Sequence, residues 1–268
     1  APDANTQWSA GDQDRPIKIQ KRGDIKTVNL YYAPDGATYG ADPINGVGTP
    51  VNIDTLADPN EYPAEHTWLW DIPPDIGLTE GKSGTVKAVA VEPNEQGTML
   101  INGVSAGFQI KGTITDVAPA GDTTTLMVGG SKAITWTRSG TIAKFKIEYR
   151  VNNGNPLDWT EISVAGGLTQ AAASCTGAYY ACSWTWTASA DPLTIPDYVF
   201  NDVDFRVSDD ANADPASSTY VGSTGDNNHI RGYLAVDDPD ASSTAEGYVF
   251  IGDPVTVTWT KKGTFDTT

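Results

Sequence analysis

The chain predicts an all-β fold of antiparallel sandwiches in tandem, and three observations carry that prediction. Apolar residues recur on every second position of short runs, Gly, Pro, Asn and Asp cluster between the runs, and one set of landmarks repeats about every 120 residues.

The strands come in chain order. Ile17 and Ile19 alternate with polar neighbours, as do Val28, Leu30 and Tyr32, then Trp68 and Trp70. In the second copy Ile134 and Trp136 alternate with Thr, Phe145, Ile147 and Tyr149 with Lys and Glu, and Trp184 and Trp186 follow. Val203, Phe205 and Val207 complete the set. A period of two lines one face of a strand with apolar side chains and turns the other to water, which helical spacing does not explain. Segments such as "APDGATYG", "DIPPDIG" and "VNNGNP" supply the turns.

Aligning Gly23, Gly140 and Gly263 brings "GDIKTVNLYY", "GTIAKFKIEY" and "GTFDTT" into register. Trp136 and Trp259 each stand four residues before their glycine, and Ile19 takes that place in the first copy. The repeats are expected over residues 1–115 and 116–235, with 236–268 the opening strands of an incomplete third. The first copy is expected to own its full strand set between Ile17 and Ile110. A fragment the size of the third buries too little apolar surface to fold alone. It is therefore expected to be completed by continuing repeats of a longer chain or by neighbouring copies of the same protein.

Composition narrows the function. Thirty-four acids against seventeen Lys and Arg give a formal charge of -17, which repels nucleic acid and anionic lipid. No apolar run approaches the roughly 20 residues of a membrane helix, so no membrane insertion is expected in this segment. No basic stretch followed by an apolar one opens the chain, and an export signal is expected to have been removed or to lie outside these residues. The two cysteines, in "CTGAYYAC", have no neighbouring Cys or His to make a zinc site. A Cys175–Cys182 disulfide across a hairpin loop is expected, with two reduced buried thiols as the alternative. The bridge would place the chain in an oxidising compartment.

The succession of Pro-turn, aromatic, Gly, "ITW", Gly, "FKIEY", "NNG", a Trp-x-Trp strand and "FRVSDDANADPASST" resembles the immunoglobulin-like repeats of secreted prokaryotic surface proteins. Those repeats are similar to the Ser/Thr-rich GPI-anchored, yeast KRE/KNH-like domain. The resemblance spans nearly the whole second copy and reaches the first through the internal alignment. It implies tandem immunoglobulin-like β-sandwich domains, an extracellular location and a non-catalytic module with no active-site residues.

Few residues suggest chemistry. His66 and His229 are the only histidines and fall in different copies, so a nucleophilic triad would have to span domains. In "DDANADP", Asp210, Asn212 and Asp214 repeat the alternating oxygen ligands that open a calcium loop, with Asp209 adjacent. Pro215 and Val221 stand where an EF-hand has Gly and Glu, which leaves a different calcium geometry or a plain Asx-rich turn. Asp237, Asp238 and Asp240 offer a similar cluster at the second junction. Most of the eight tryptophans, including Trp68, Trp70, Trp136, Trp184, Trp186 and Trp259, are expected in cores. Tyr179 and Tyr180, at the tip of the cysteine loop, are the candidate ligand contacts.

The sequence thus points to a structural segment of a cell-surface stalk, filament or envelope layer. The alternatives are an adhesin or carbohydrate-binding module that meets cell-surface glycans, and an accessory region of a secreted hydrolase.

Overall fold

A computed structural model describes residues 2–21, 25–54, 64–79, 83–92, 101–119, 125–151, 159–162, 167–176, 180–187, 200–210, 221–223, 228–238, 251–252, 254 and 256–263. Every regular element among them is a strand. The chain divides into two compact units, the first comprising Ala1–Thr113 with Arg138–Ile142 and Gly177–Tyr180, the second the remainder through Thr268.

The first unit contains β1 (Gln7–Ser9), β2 (Arg15–Lys21), β3 (Thr27–Ala33), β4 (Val51–Asn52), β5 (Ala64–Trp70), β6 (Thr85–Ala90), β7 (Asn102–Val104) and β8 (Gln109–Lys111). One sheet runs β4-β3-β6-β7, a second pairs β2 with β5, and β1 lies parallel to β8. The alternation read in the sequence is the burial pattern: Ile17 and Ile19 face inward from β2, Val28, Leu30 and Tyr32 from β3. Trp8, Tyr32, Trp70 and Phe108 meet between the sheets, with Trp8 and Phe108 centroids 5.2 Å apart in an edge-to-face pair.

The second unit repeats this plan. It is built from β9 (Thr113–Ala118), β10 (Thr125–Met127), β11 (Ser131–Ser139), β12 (Lys144–Val151), β13 (Thr160–Glu161), β14 (Leu168–Thr169), β15 (Tyr180–Thr187), β16 (Phe200–Asp209), β17 (Val221–Ser223) and β18 (Asn228–Arg231). Its larger sheet runs β10-β18-β16-β12-β13, and its smaller one β15-β11-β9. Trp136 and Trp186 from the smaller sheet are buried against Phe145 and Phe205 from the larger.

Pairings correspond strand for strand. The parallel pair β1/β8 matches β10/β18, β2/β5 matches β11/β15, and the antiparallel pair β3/β6 matches β12/β16. Two sheets around one core, with β1 parallel to β8 and β10 parallel to β18 and with the β3/β6 and β12/β16 ladders antiparallel, form the immunoglobulin-like sandwich.

After β18 come β19 (Tyr233–Asp238) and β20 (Thr258–Lys262), an antiparallel ribbon grouped with the second unit. The ribbon corresponds to β9 and β11: Gly232 precedes β19 as Gly112 precedes β9, and Trp259 stands in β20 where Trp136 stands in β11. In the first unit β2 pairs with β5 among the described residues.

Candidate functional site

A groove runs along β2 in the first unit. Two cavities of about 390 and 330 Å³ share Ile19, Gln20, Ala88 and Gly103, and run between β2 and the β6–β7 edge. The lining is apolar beneath and polar at the rim, where Lys18 and Glu65 form an exposed ion pair at 2.9 Å. Ile19 explains part of the opening. It occupies the position of Trp136, whose indole is buried against Phe145 in the second unit, and it is the smaller side chain. In the second unit β9 lies at the equivalent edge of β11, with Ile114 and Val117 buried.

A charged ladder crosses one face of the second unit's larger sheet. Glu148 stands opposite Arg206, and Arg150 opposite Asp204, on adjacent antiparallel strands. Arg206 Nη2 lies 2.6 Å from Glu148 Oε2, Arg150 Nη2 2.7 Å from Asp204 Oδ2, and Lys146 Nζ 3.0 Å from Glu148 Oε1. Both guanidinium groups lie over Trp159, at 4.8 and 4.2 Å from its ring centroid. Glu148 and Asp204 are buried, so their charges are held by these partners. Acids and bases alternate with core residues along both strands, so the sequence shows which face they share, while the pairing partners appear only with the register.

The cysteines form the expected Cys175–Cys182 disulfide. Tyr180 is half-buried, with the Arg138 guanidinium 4.1 Å from its ring centroid, so one ring face is occupied; Tyr179 lies outside the described residues. Burial holds the Arg138 pKa below its ordinary value, while the facing Tyr180 acts in the opposite sense. Of the calcium candidates, Asp209 is buried and the Asp210 amide donates to the Lys144 carbonyl at 3.1 Å, while Asn212 and Asp214 lie outside the described residues. Among the described residues no group of three or more His, Cys, Asp or Glu side chains is arranged to hold a metal. In the ribbon Thr260 Oγ1 donates to Asp237 Oδ2 at 2.6 Å, and Asp240 is outside the described set. His66 is in β5 of the first unit and His229 in β18 of the second.

The tryptophans divide. Trp8, Trp70, Trp136 and Trp186 are buried and Trp68 packs partly against the first core. Trp184 and Trp159 are half-buried. Trp259 corrects the expectation of a core residue: it is 59% exposed, on a ribbon with Leu234, Val236 and Val257 also exposed, because no second sheet covers it among the described residues.

No protein-family model matches the chain, and no curated protein matches it. Among solved structures it is similar to the fibronectin(III)-like modules of Clostridium thermocellum CbhA, at 14% identity over 86% of this chain and 90% of that one, with a TM-score of 0.20. It is similar also to a chimeric titin Z1Z2-Z1Z2 tandem functionalized with a GRGDS peptide from fibronectin (10% identity, 84% and 93% coverage, TM-score 0.23). A marsupial T cell receptor gives 8% identity, 87% and 76% coverage and a TM-score of 0.25. Superpositions this loose carry no argument, and the assignment of the fold rests on the strand order.

Proposed function

We propose that the chain is a non-catalytic structural segment of a tandem immunoglobulin-like array on a cell surface, in a stalk, filament or envelope layer. One observation carries this reading: the β9/β11 pair that opens the second unit recurs, glycine for glycine, in the β19/β20 ribbon. A chain that restarts the same sandwich is organised by repetition, and stability in such a series adds up from each module and its neighbours. The Cys175–Cys182 disulfide supports a non-cytoplasmic setting, and the extracellular surface is the setting proposed. A charge of -17 favours solubility and disfavours contact with anionic polymers. The resemblance to repeats of secreted surface proteins agrees with this assignment.

Negative-stain imaging of the native material tests the reading. Rows of beads at regular spacing are the expected result. Isolated particles that bind on a glycan array would replace it with the adhesin or carbohydrate-binding module.

A further inference from the structure

We propose that the buried guanidinium of Arg138 binds a small carboxylate anion of formate or acetate size, at a site separate from the groove along β2 and from the charged ladder.

The place of Arg138 in its strand sets the problem. Ile134, Trp136 and Arg138 alternate along the inward side of β11, so a cation takes a position of the kind that its neighbours fill with apolar side chains. The residue is 4% exposed. Its Nη1 donates to the Gly140 carbonyl, the Tyr180 ring centroid lies 4.1 Å from the guanidinium carbon, and its Nε–H is buried without a hydrogen-bond partner. Acids outnumber bases two to one in the chain, and Arg15, Arg150 and Arg206 pair with the carboxylates of Asp12, Asp204 and Glu148. Arg138 has no carboxylate partner among the described residues. A buried donor without an acceptor and a buried cation without a counter-charge each carry a desolvation cost. An anion at the Nε edge removes both.

The first unit shows which group belongs beside such a cation. With Gly23 aligned to Gly140, Lys21 is the counterpart of Arg138. The Lys21 side chain is 9% exposed, its Nζ donates to the Ile25 carbonyl at 3.1 Å and lies 4.0 Å from Asp54 Oδ1. Each cation thus reaches a main-chain carbonyl just beyond the end of its own strand. Lys21 also has a carboxylate from its own chain, which is the group that Arg138 is without.

Geometry selects the ligand class. A guanidinium presents its donors in a planar fork that matches the two oxygens of a carboxylate. Nη1 is engaged by Gly140 and one ring face is covered by Tyr180, so the ligand meets the edge that carries Nε, in the plane of the group. The slight exposure of the residue restricts that ligand to a small anion, and a planar carboxylate accepts from two donors where a spherical halide does not match the fork.

The test is a formate titration of the full, unmodified chain, followed through the Arg138 Nε–Hε signal in proton–nitrogen NMR after through-bond assignment to its backbone. Sodium formate replaces sodium chloride at constant ionic strength, so screening does not change. A saturable shift of that signal is expected, with half-saturation at or below about 50 mM. Formate at about 100 mM should then raise the folded-to-unfolded ratio in urea at least about threefold. Arg138→Lys, which keeps the charge and loses the fork, should abolish that gain. A shift that only grows linearly with formate, a shift shared equally by the Arg15 signal, or no change on replacing chloride overturns the proposal. So does a stability gain that survives in Arg138→Lys. The NMR reading needs no substitution, so it decides the matter even if that variant does not fold.

Discussion

A Cβ placed on Gly140 would lie 3.0 Å from the Cα of Gly112, and one placed on Gly263 would lie 2.9 Å from the Cα of Gly232. The two pairs occupy the same place at the end of the β9/β11 and β19/β20 ladders, where the chain turns with φ of +83° at Gly140 and +101° at Gly263. A side chain there meets both a disfavoured backbone conformation and an adjacent main chain.

Substitution at Gly140 should separate these two costs. Gly140→Ala is expected to destabilise the protein by about 2–4 kcal/mol, combining the positive-φ penalty with crowding against Gly112 and Leu78. Gly48 also has positive φ, +75°, but open space around its Cβ position, so Gly48→Ala should cost only about 1–2 kcal/mol. Urea denaturation of both variants checks the difference; equal costs would mean that the glycine pair is not close-packed.

The Glu148–Arg206 pair makes a second test. Glu148 is buried, and removing Arg206 leaves Lys146 as the cation bonded to it. Arg206→Ala should therefore cost about 3 kcal/mol. Combining it with Glu148→Gln, which removes the stranded charge, should cost less than the two single changes together by at least about 1 kcal/mol. Additive denaturation free energies would show that the two side chains do not interact.

The disulfide closes a small ring, with seven residues of sequence separation between Cys175 and Cys182. Chain-entropy arguments give such a ring about 2 kcal/mol. The Cys175→Ser/Cys182→Ser double variant should lower the unfolding free energy by that amount, read from urea denaturation, without changing the far-ultraviolet spectrum. A spectrum that loses its β-sheet character would mean that the bridge is required for the sandwich and does more than tether a loop.

Acid titration tests the turn after β3. The backbone amides of Ala37 and Thr38 donate to Asp35 Oδ1 at 2.9 and 2.7 Å. The Thr38 side chain, then these amides, favour the carboxylate and lower its pKa to about 2. Because the folded value is depressed, the contribution to stability is present above the ordinary carboxylate pKa of 3.8 and lost as pH falls through about 2. A carbon-detected NMR titration should place the Asp35 midpoint near 2, and Asp35→Asn should remove that step from the stability profile. A midpoint at the ordinary value would show that the turn is open in solution.

How far the sequence could be read follows from what kind of information each feature needs. Ile17, Ile19, Phe145 and Ile147 announce their strands because burial on one face imposes a period of two. The repeat was legible because Gly140 and Gly263 meet the same backbone demand. The groove was not legible, since pattern along a strand says nothing of what lies beside it. Its one local signal was Ile19 in the place of a tryptophan. The ladder of Glu148, Arg206, Arg150 and Asp204 likewise depends on register between strands far apart in the chain.

Trp259 shows the same limit of pattern. It repeats Trp136 in sequence and in ladder position, but Trp136 is 2% exposed and Trp259 59%. Burial belongs to the second sheet, which the first has and the second lacks among the described residues. Trp259→Ser should accordingly change stability by no more than about 0.5 kcal/mol, whereas Trp186→Ala, at a fully buried site, should cost about 3–5 kcal/mol. Denaturation curves give both values.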